Sequence, residues 1–240
     1  MRKHTAVKKF ILPVLLLISL SCVSYTVPPE VFVVNMYEGR VDFRLMQGSQ
    51  QACVFENNVP GTVQPIKTLR AAGLYSVAWK TESLPSWHIQ QQDPSFPDLT
   101  SGKYFFHPGI IYCMFADSRG IIRIIPVTDR PGYGARVCIF NAAAAGVSRF
   151  ILQSPDAPVE PFLEIHDLPP NATTGFLPVV PGEMAPLFLP ESGDLVPVNT
   201  AESLPAFSVS LKDGSRHLFL VTQKEKKMAV THFLLSDSSE

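Results

Sequence analysis

The densest polar cluster in this 240-residue chain is Glu164-Ile165-His166-Asp167. On a strand, Glu164 and His166 share one face two residues apart, an acceptable spacing for two metal ligands. No second cluster stands ready to complete four ligands, so a solvated strand edge before the Leu168-Pro169-Pro170 turn is the simpler reading. Ser192-Gly193-Asp194 and Asp213-Gly214-Ser215 each place a hydroxyl near a carboxylate. An esterase needs an activated nucleophile and an oxyanion site, and Ser192, Asp194 and His217 are the residues to inspect first for one. Both triplets nevertheless read better as turns. The histidines (His4, His88, His107, His166, His217 and His232) are scattered. There is no G-x-S-x-G elbow, no H-E-x-x-H, no phosphate-binding glycine loop and no paired C-x-x-C. No catalytic, metal or cofactor residue is assigned, and the expectation is a protein that is not an enzyme.

Two aromatic residues suggest contact rather than chemistry. Trp87 and Phe96 lie in a Gln- and Pro-rich insertion, Ser83 to Gly102, where alternation predicts no core position. Aromatic residues on an exposed loop serve as anchors at protein or sugar interfaces. The competing reading is that they cover an edge of the adjoining sheet.

These residues must be positioned by a chain that first has to be exported. Arg2, Lys3, Lys8 and Lys9 precede the short apolar run Ile11 to Leu20, a basic head and an apolar stretch of export-signal length. Ser21 and then Cys22 resemble a bacterial lipoprotein cleavage site, in which the cysteine receives the lipid, although Ser19 stands where that pattern wants an aliphatic residue. Cleavage by ordinary signal peptidase near Ser21 or Ser24, or an uncleaved anchor, are the alternatives. The expected location is the periplasm, with a lipid anchor to a bacterial membrane through Cys22. Asn171-Ala172-Thr173 matches a glycosylation pattern that a bacterial export signal discounts. The formal charge of −1 supplies no basic face for nucleic acid. The 22 prolines are about twice average usage and favour short strands over helices. Past the signal, Cys53, Cys113 and Cys138 are an odd set. One disulfide or three buried thiols both remain open.

The fold is legible because the chain repeats itself. Glu30 to Val41, "EVFVVNMYEGRV", returns as Ala135 to Val147, "ARVCIFNAAAAGV", each an apolar run into Asn35 or Asn141 and then a hairpin loop. "NNVPGTVQPIKTL" parallels "HDLPPNATTGFLPV", "YSVAWKTE" from Tyr75 parallels "FSVSLKDG" from Phe207, and each copy closes with a hairpin ending at Asp129 or Asp237. Between the copies lies "DRPGYGA". Self-similarity of this length predicts an all-β protein of two tandem sandwich-like domains, residues 22–130 and 135–240, behind a signal at 1–21. The second copy's long path to Phe207, with "PVVPGEMAPLFLPESGDLVPVNTAESLP", reads as an insertion.

A signal followed by two such domains, with "VFVVN" (Val31–Asn35), "GLYSVAW" (Gly73–Trp79), "ARVCIFNA" (Ala135–Ala142) and "AFSVSLKDG" (Ala206–Gly214), resembles the AlgF family, periplasmic accessory proteins of alginate O-acetylation. The resemblance spans most of the mature chain and implies a non-catalytic adaptor of a polysaccharide or cell-envelope O-acetylation system. Its partners would be envelope or membrane proteins of an acetyl-transfer machinery, or a polysaccharide, and it needs no cofactor. The long Pro-rich insertions and the lipid-anchor signal depart from that pattern. The broader alternative is a general envelope lipoprotein that binds a protein or glycan through its loops.

Overall fold

The computed structural model describes residues 27–89, 99–100, 103–117, 120–130, 132–156, 161–190, 196–200, 208–224 and 227–237. Cys22, Phe96, Ser192 and Asp194, and the signal segment, lie outside them. The described chain is all β, without a helix. The first half comprises β1 (Glu30–Asn35), β2 (Val41–Gln47), β3 (Gln50–Asn58), β4 (Thr62–Thr68), β5 (Gly73–Thr81), β6 (His88–Ile89), β7 (Leu99–Thr100), β8 (Lys103–Phe106), β9 (Ile111–Ala116) and β10 (Ile122–Val127). The second comprises β11 (Ala135–Asn141), β12 (Val147–Gln153), β13 (Leu163–Leu168), β14 (Ala172–Thr173), β15 (Leu177–Val179), β16 (Gly182–Pro190), β17 (Val196–Thr200), β18 (Val209–Leu211), β19 (Arg216–Lys224) and β20 (Lys227–Ser236).

Strand pairing follows one plan twice. In the first half the sheet β10-β9-β1-β4 faces the sheet β3-β2-β5-β8-β7, with β1 and β9 parallel. In the second half β20-β19-β11 continues into β14 and β15, again with its first and penultimate strands parallel, and faces β13-β12-β16, to which β18 adds. Strand β17 joins the two sheets of that half by pairing both β16 and β20. Alternation sets the inward faces. Val41, Phe43 and Leu45 of β2 pack with Tyr75, Phe106 and Met114 in one core; Val147, Phe150 and Leu152 of β12 pack with Phe188, Phe219 and Val230 in the other.

The internal alignment needs one correction. The partner of β5 is not the strand near Phe207 but β16. Both open with a glycine at φ +149°, Gly73 and Gly182, and both pair with the second strand of their half. The short β18 matches β8 instead: Gly73 pairs with Phe106 and Gly182 with Leu211. About a third of what reads as insertion, Gly182–Pro190, is therefore a core strand carrying the buried Met184 and Phe188. Pro186 and Pro190 disguise it, because proline removes a ladder donor and argues against a central strand. Pro186 is tolerated between Gly182–Met184, which pair with β18, and Leu187 and Phe188, which pair with β17.

The inner sheets of the two halves also pack on each other. Phe32 and Val34 of β1, Cys113 and Phe115 of β9, Cys138 and Phe140 of β11, and Leu218 and Leu220 of β19 form a third apolar core. Phe115 and Phe140 meet edge to face across it at 5.0 Å. The molecule is thus four sheets deep. Cys53, Cys113 and Cys138 are buried free thiols, and burial raises all three, Cys138 to about 12, so they sit there as apolar filling rather than as nucleophiles. The segment between the halves is pinned: Phe176 N–H donates to Thr128 O (2.7 Å), and Arg130 N–H donates to Phe176 O (3.0 Å). At Gly134, φ is +95° and a Cβ would meet Val179 O at 2.3 Å, so glycine alone fits.

Candidate functional site

Ser215 and His217 lie at the start of β19, where the Asp213-Gly214 turn delivers the chain into the sheet. Ser215 Oγ is 2.6 Å from His217 Nε2, and His217 Nδ1 is 2.9 Å from His232 Nε2 on β20. That is the outline of a nucleophile, a base and an orienting group. The proton arrangement runs the wrong way. Ser215 Oγ–H donates to Lys212 O at 2.5 Å, so the oxygen accepts from His217 Nε2–H, and His217 Nδ1 then accepts from His232 Nε2–H. A nucleophilic serine must instead give its proton to the ring. Ser215 is also 0% exposed and His217 2% exposed. Burial lowers His217 to about 4, opposed by the Asp237 carboxylate and reinforced by Lys212. His232 is likewise lowered to about 4, first by burial and then by His217. The trio is a neutral polar rivet in the second core.

Glu164 and His166 do share a face of β13, but Glu164 is taken up by ion pairing, with Arg149 and His166 meeting at one of its oxygens. The Arg149 guanidinium lies 2.5 Å from Glu164 Oε1, and His166 Nε2 lies 3.0 Å from the same oxygen. That arginine, with a smaller contribution from His166, holds the Glu164 carboxyl below its ordinary range. No group of three metal-ligating side chains occurs among the described residues.

Trp87 is half-buried on the outer face of the first half. The Arg44 guanidinium carbon lies 4.3 Å from its ring centre and Lys80 Nζ 5.0 Å. Arg44 and Lys80 point outward because Phe43, Leu45 and Trp79 on the same strands point in. The tryptophan thus rests on a basic patch, with the adjoining Ile89 well exposed.

A cleft of about 610 Å³ lies between the two halves. Its wall is an ion-pair network. Arg216 Nη1 lies 2.8 Å from Glu30 Oε2 and its Nη2 3.2 Å from Asp129 Oδ2, while Arg136 Nε lies 3.6 Å from Asp129 Oδ1 and its Nη2 donates to Gly132 O. Asp213, Ser236, Asp237 and Thr68 complete the polar lining, and Tyr133 at the rim is 99% exposed. Sequence reading missed this site because its members come from the first strand of one half, the linker and the last hairpin of the other. The Tyr between Gly132 and Gly134 was its one visible signal.

Fold and surface together define a duplicated β-sandwich protein with a polar cleft between its halves. No family model matches the sequence, and no curated protein matches it. Solved structures similar to it include the tip fimbrial protein Mfa3 from Porphyromonas gingivalis with C-terminal truncation, at 9% identity over 87% of this chain and 98% of that one, TM-score 0.27. A putative cell adhesion protein from Parabacteroides distasonis gives 6% identity over 88% and 99%, TM-score 0.25. At such scores the likeness carries neither topology nor function across. No helix among the described residues is long and apolar enough to cross a membrane.

Proposed function

We propose that the chain is a non-catalytic, exported binding module of the bacterial envelope, with an adaptor role in polysaccharide O-acetylation as its specific form. The observation that supports it best is Ser215: the serine that touches a histidine is sealed in the core and gives its proton to a carbonyl. What the surface offers instead is contact area, at Trp87 and at the cleft. The resemblance of the strands at Val31, Gly73 and Ala135 to the AlgF family supplies the acetylation context, and Cys22 supplies the tether, which two or more acyl chains make stable.

The test uses the full chain. It should co-purify with a membrane O-acyltransferase expressed beside it and release no acetate from p-nitrophenyl acetate above a denatured control. Trp87→Ala should weaken that co-purification about tenfold or more, the loss expected for an aromatic anchor. Acetate release would sink the non-catalytic reading, and wild-type-like co-purification of the variant would remove Trp87 from the interface. A fatty-acid label present in the wild type and absent in Cys22→Ala reports the anchor; an unlabelled wild type removes it.

A further inference from the structure

We infer that the cleft between the halves is a saccharide site that takes a neutral glycan chain. This rests on the reading of the protein as a binding module and adds the class of ligand. The volume of about 610 Å³ lies within the range of ligand pockets, roughly 300–1,000 Å³. Its walls offer both donors and acceptors on a fixed scaffold: the guanidiniums of Arg136 and Arg216 beside the carboxylates of Glu30, Asp129, Asp213 and Asp237. A sugar hydroxyl donates and accepts at once, so it can use both kinds of wall without bringing a charge of its own.

Charge narrows the class. The two guanidiniums already face Glu30 and Asp129, and Lys212 Nζ holds Asp237 Oδ2 at 3.0 Å, so Asp213 leaves the cleft one negative charge in excess, which disfavours a polyuronate chain. An ammonium would find the carboxylates but would meet the two arginines. At the cleft floor Arg136 Nη1 and Asp129 Oδ1, one donor and one acceptor, have no hydrogen-bond partner among the described residues. Buried groups of that kind gain from a partner. Tyr133 stands at the rim almost wholly in solvent, an amphipathic ring with an apolar face and a polar tip, suited to lie against a pyranose.

The experiment titrates the full chain by calorimetry with three hexasaccharides: neutral β-1,4-glucose, anionic β-1,4-mannuronate and cationic β-1,4-glucosamine. A lysine-rich peptide is the fourth probe. The neutral hexamer should bind at millimolar or tighter concentration with little dependence on salt. Tyr133→Ala should weaken it at least tenfold with the thermal midpoint unmoved, and Asp213→Asn, at an exposed position, should weaken it several-fold. Failure of the neutral hexamer to bind at millimolar concentration overturns the inference. So does unchanged binding by Tyr133→Ala, or tighter, salt-sensitive binding of the mannuronate hexamer, the glucosamine hexamer or the peptide. Any of these leaves the non-catalytic reading standing, whereas acetate release would end that reading and leave the Tyr133 titration interpretable.

Discussion

Asn35 and Asn141, 0% exposed and at matching positions in the two halves, make the same hydrogen bonds. Asn35 Nδ2 donates to Gly39 O (3.0 Å) and Asn58 O (2.7 Å), and its Oδ1 accepts from Tyr37 N–H (3.0 Å). Asn141 Nδ2 donates to Ala145 O (2.9 Å) and Leu168 O (3.1 Å), with Pro169 O as a further acceptor at 3.1 Å, and its Oδ1 accepts from Ala143 N–H (3.1 Å). Each side chain closes the loop after the first strand of its half and ties it to the end of the third. Asparagine recurs because one side chain must supply both an acceptor and two donors there.

Replacing either asparagine by alanine strands buried carbonyls and an amide. Each of Asn35→Ala and Asn141→Ala should cost about 1–3 kcal/mol, read as a lower urea midpoint with an unchanged slope. A loss below about 0.5 kcal/mol in both would mean that water replaces the side chain and that the repeat has another cause.

The histidine pair should make stability depend on pH. Both fold neutral, with values near 4 against an ordinary 6.5. As pH falls below about 6.5 the unfolded chain takes up protons that the folded chain refuses until about 4. The stability is therefore fully present above 6.5 and declines between 6.5 and 4, by on the order of 1 kcal/mol per pH unit for each histidine at most. His217 and Tyr112 occupy the same register position beside Val137 and Val31, and His232 and Ile124 occupy matching positions on the last strands. A chain carrying His217→Tyr and His232→Ile should lose that slope in urea melts at pH 7 and pH 4.5. A slope that survives the double change lies elsewhere.

The halves should not stand alone. Separating them exposes Phe32, Phe115, Phe140 and Phe176, each worth about 1.5–3 kcal/mol when fully buried. That sum rivals the 5–15 kcal/mol of a whole domain. A fragment of residues 135–240 should aggregate or melt far below the full chain, and co-expression with the first half should rescue it. An isolated fragment that melts cooperatively at the full chain's midpoint would refute this.

Local signals carried much of the architecture. The paired Val-rich strands ending in asparagine and the charged closing hairpins are short-range patterns, and they suffice for an all-β duplicated fold. Even burial on both faces was written there: "VFVVN", "IYCMFA" and "VCIFN" are unbroken apolar runs rather than alternations, which is how strands covered on both sides read. What covers the outer side of those strands is a long-range matter. It took the packing of one half on the other to show that Phe115 meets Phe140, and that Glu30, Asp129 and Arg216, far apart in the chain, share one cleft. The strand Gly182–Pro190 also waited on tertiary structure, since its prolines contradict local propensity and only the gap between two partner strands accommodates Pro186. Propensity and periodicity act within a few residues and so can be read in sequence. Contacts between sheets depend on where whole elements come to rest, and those the packing decides.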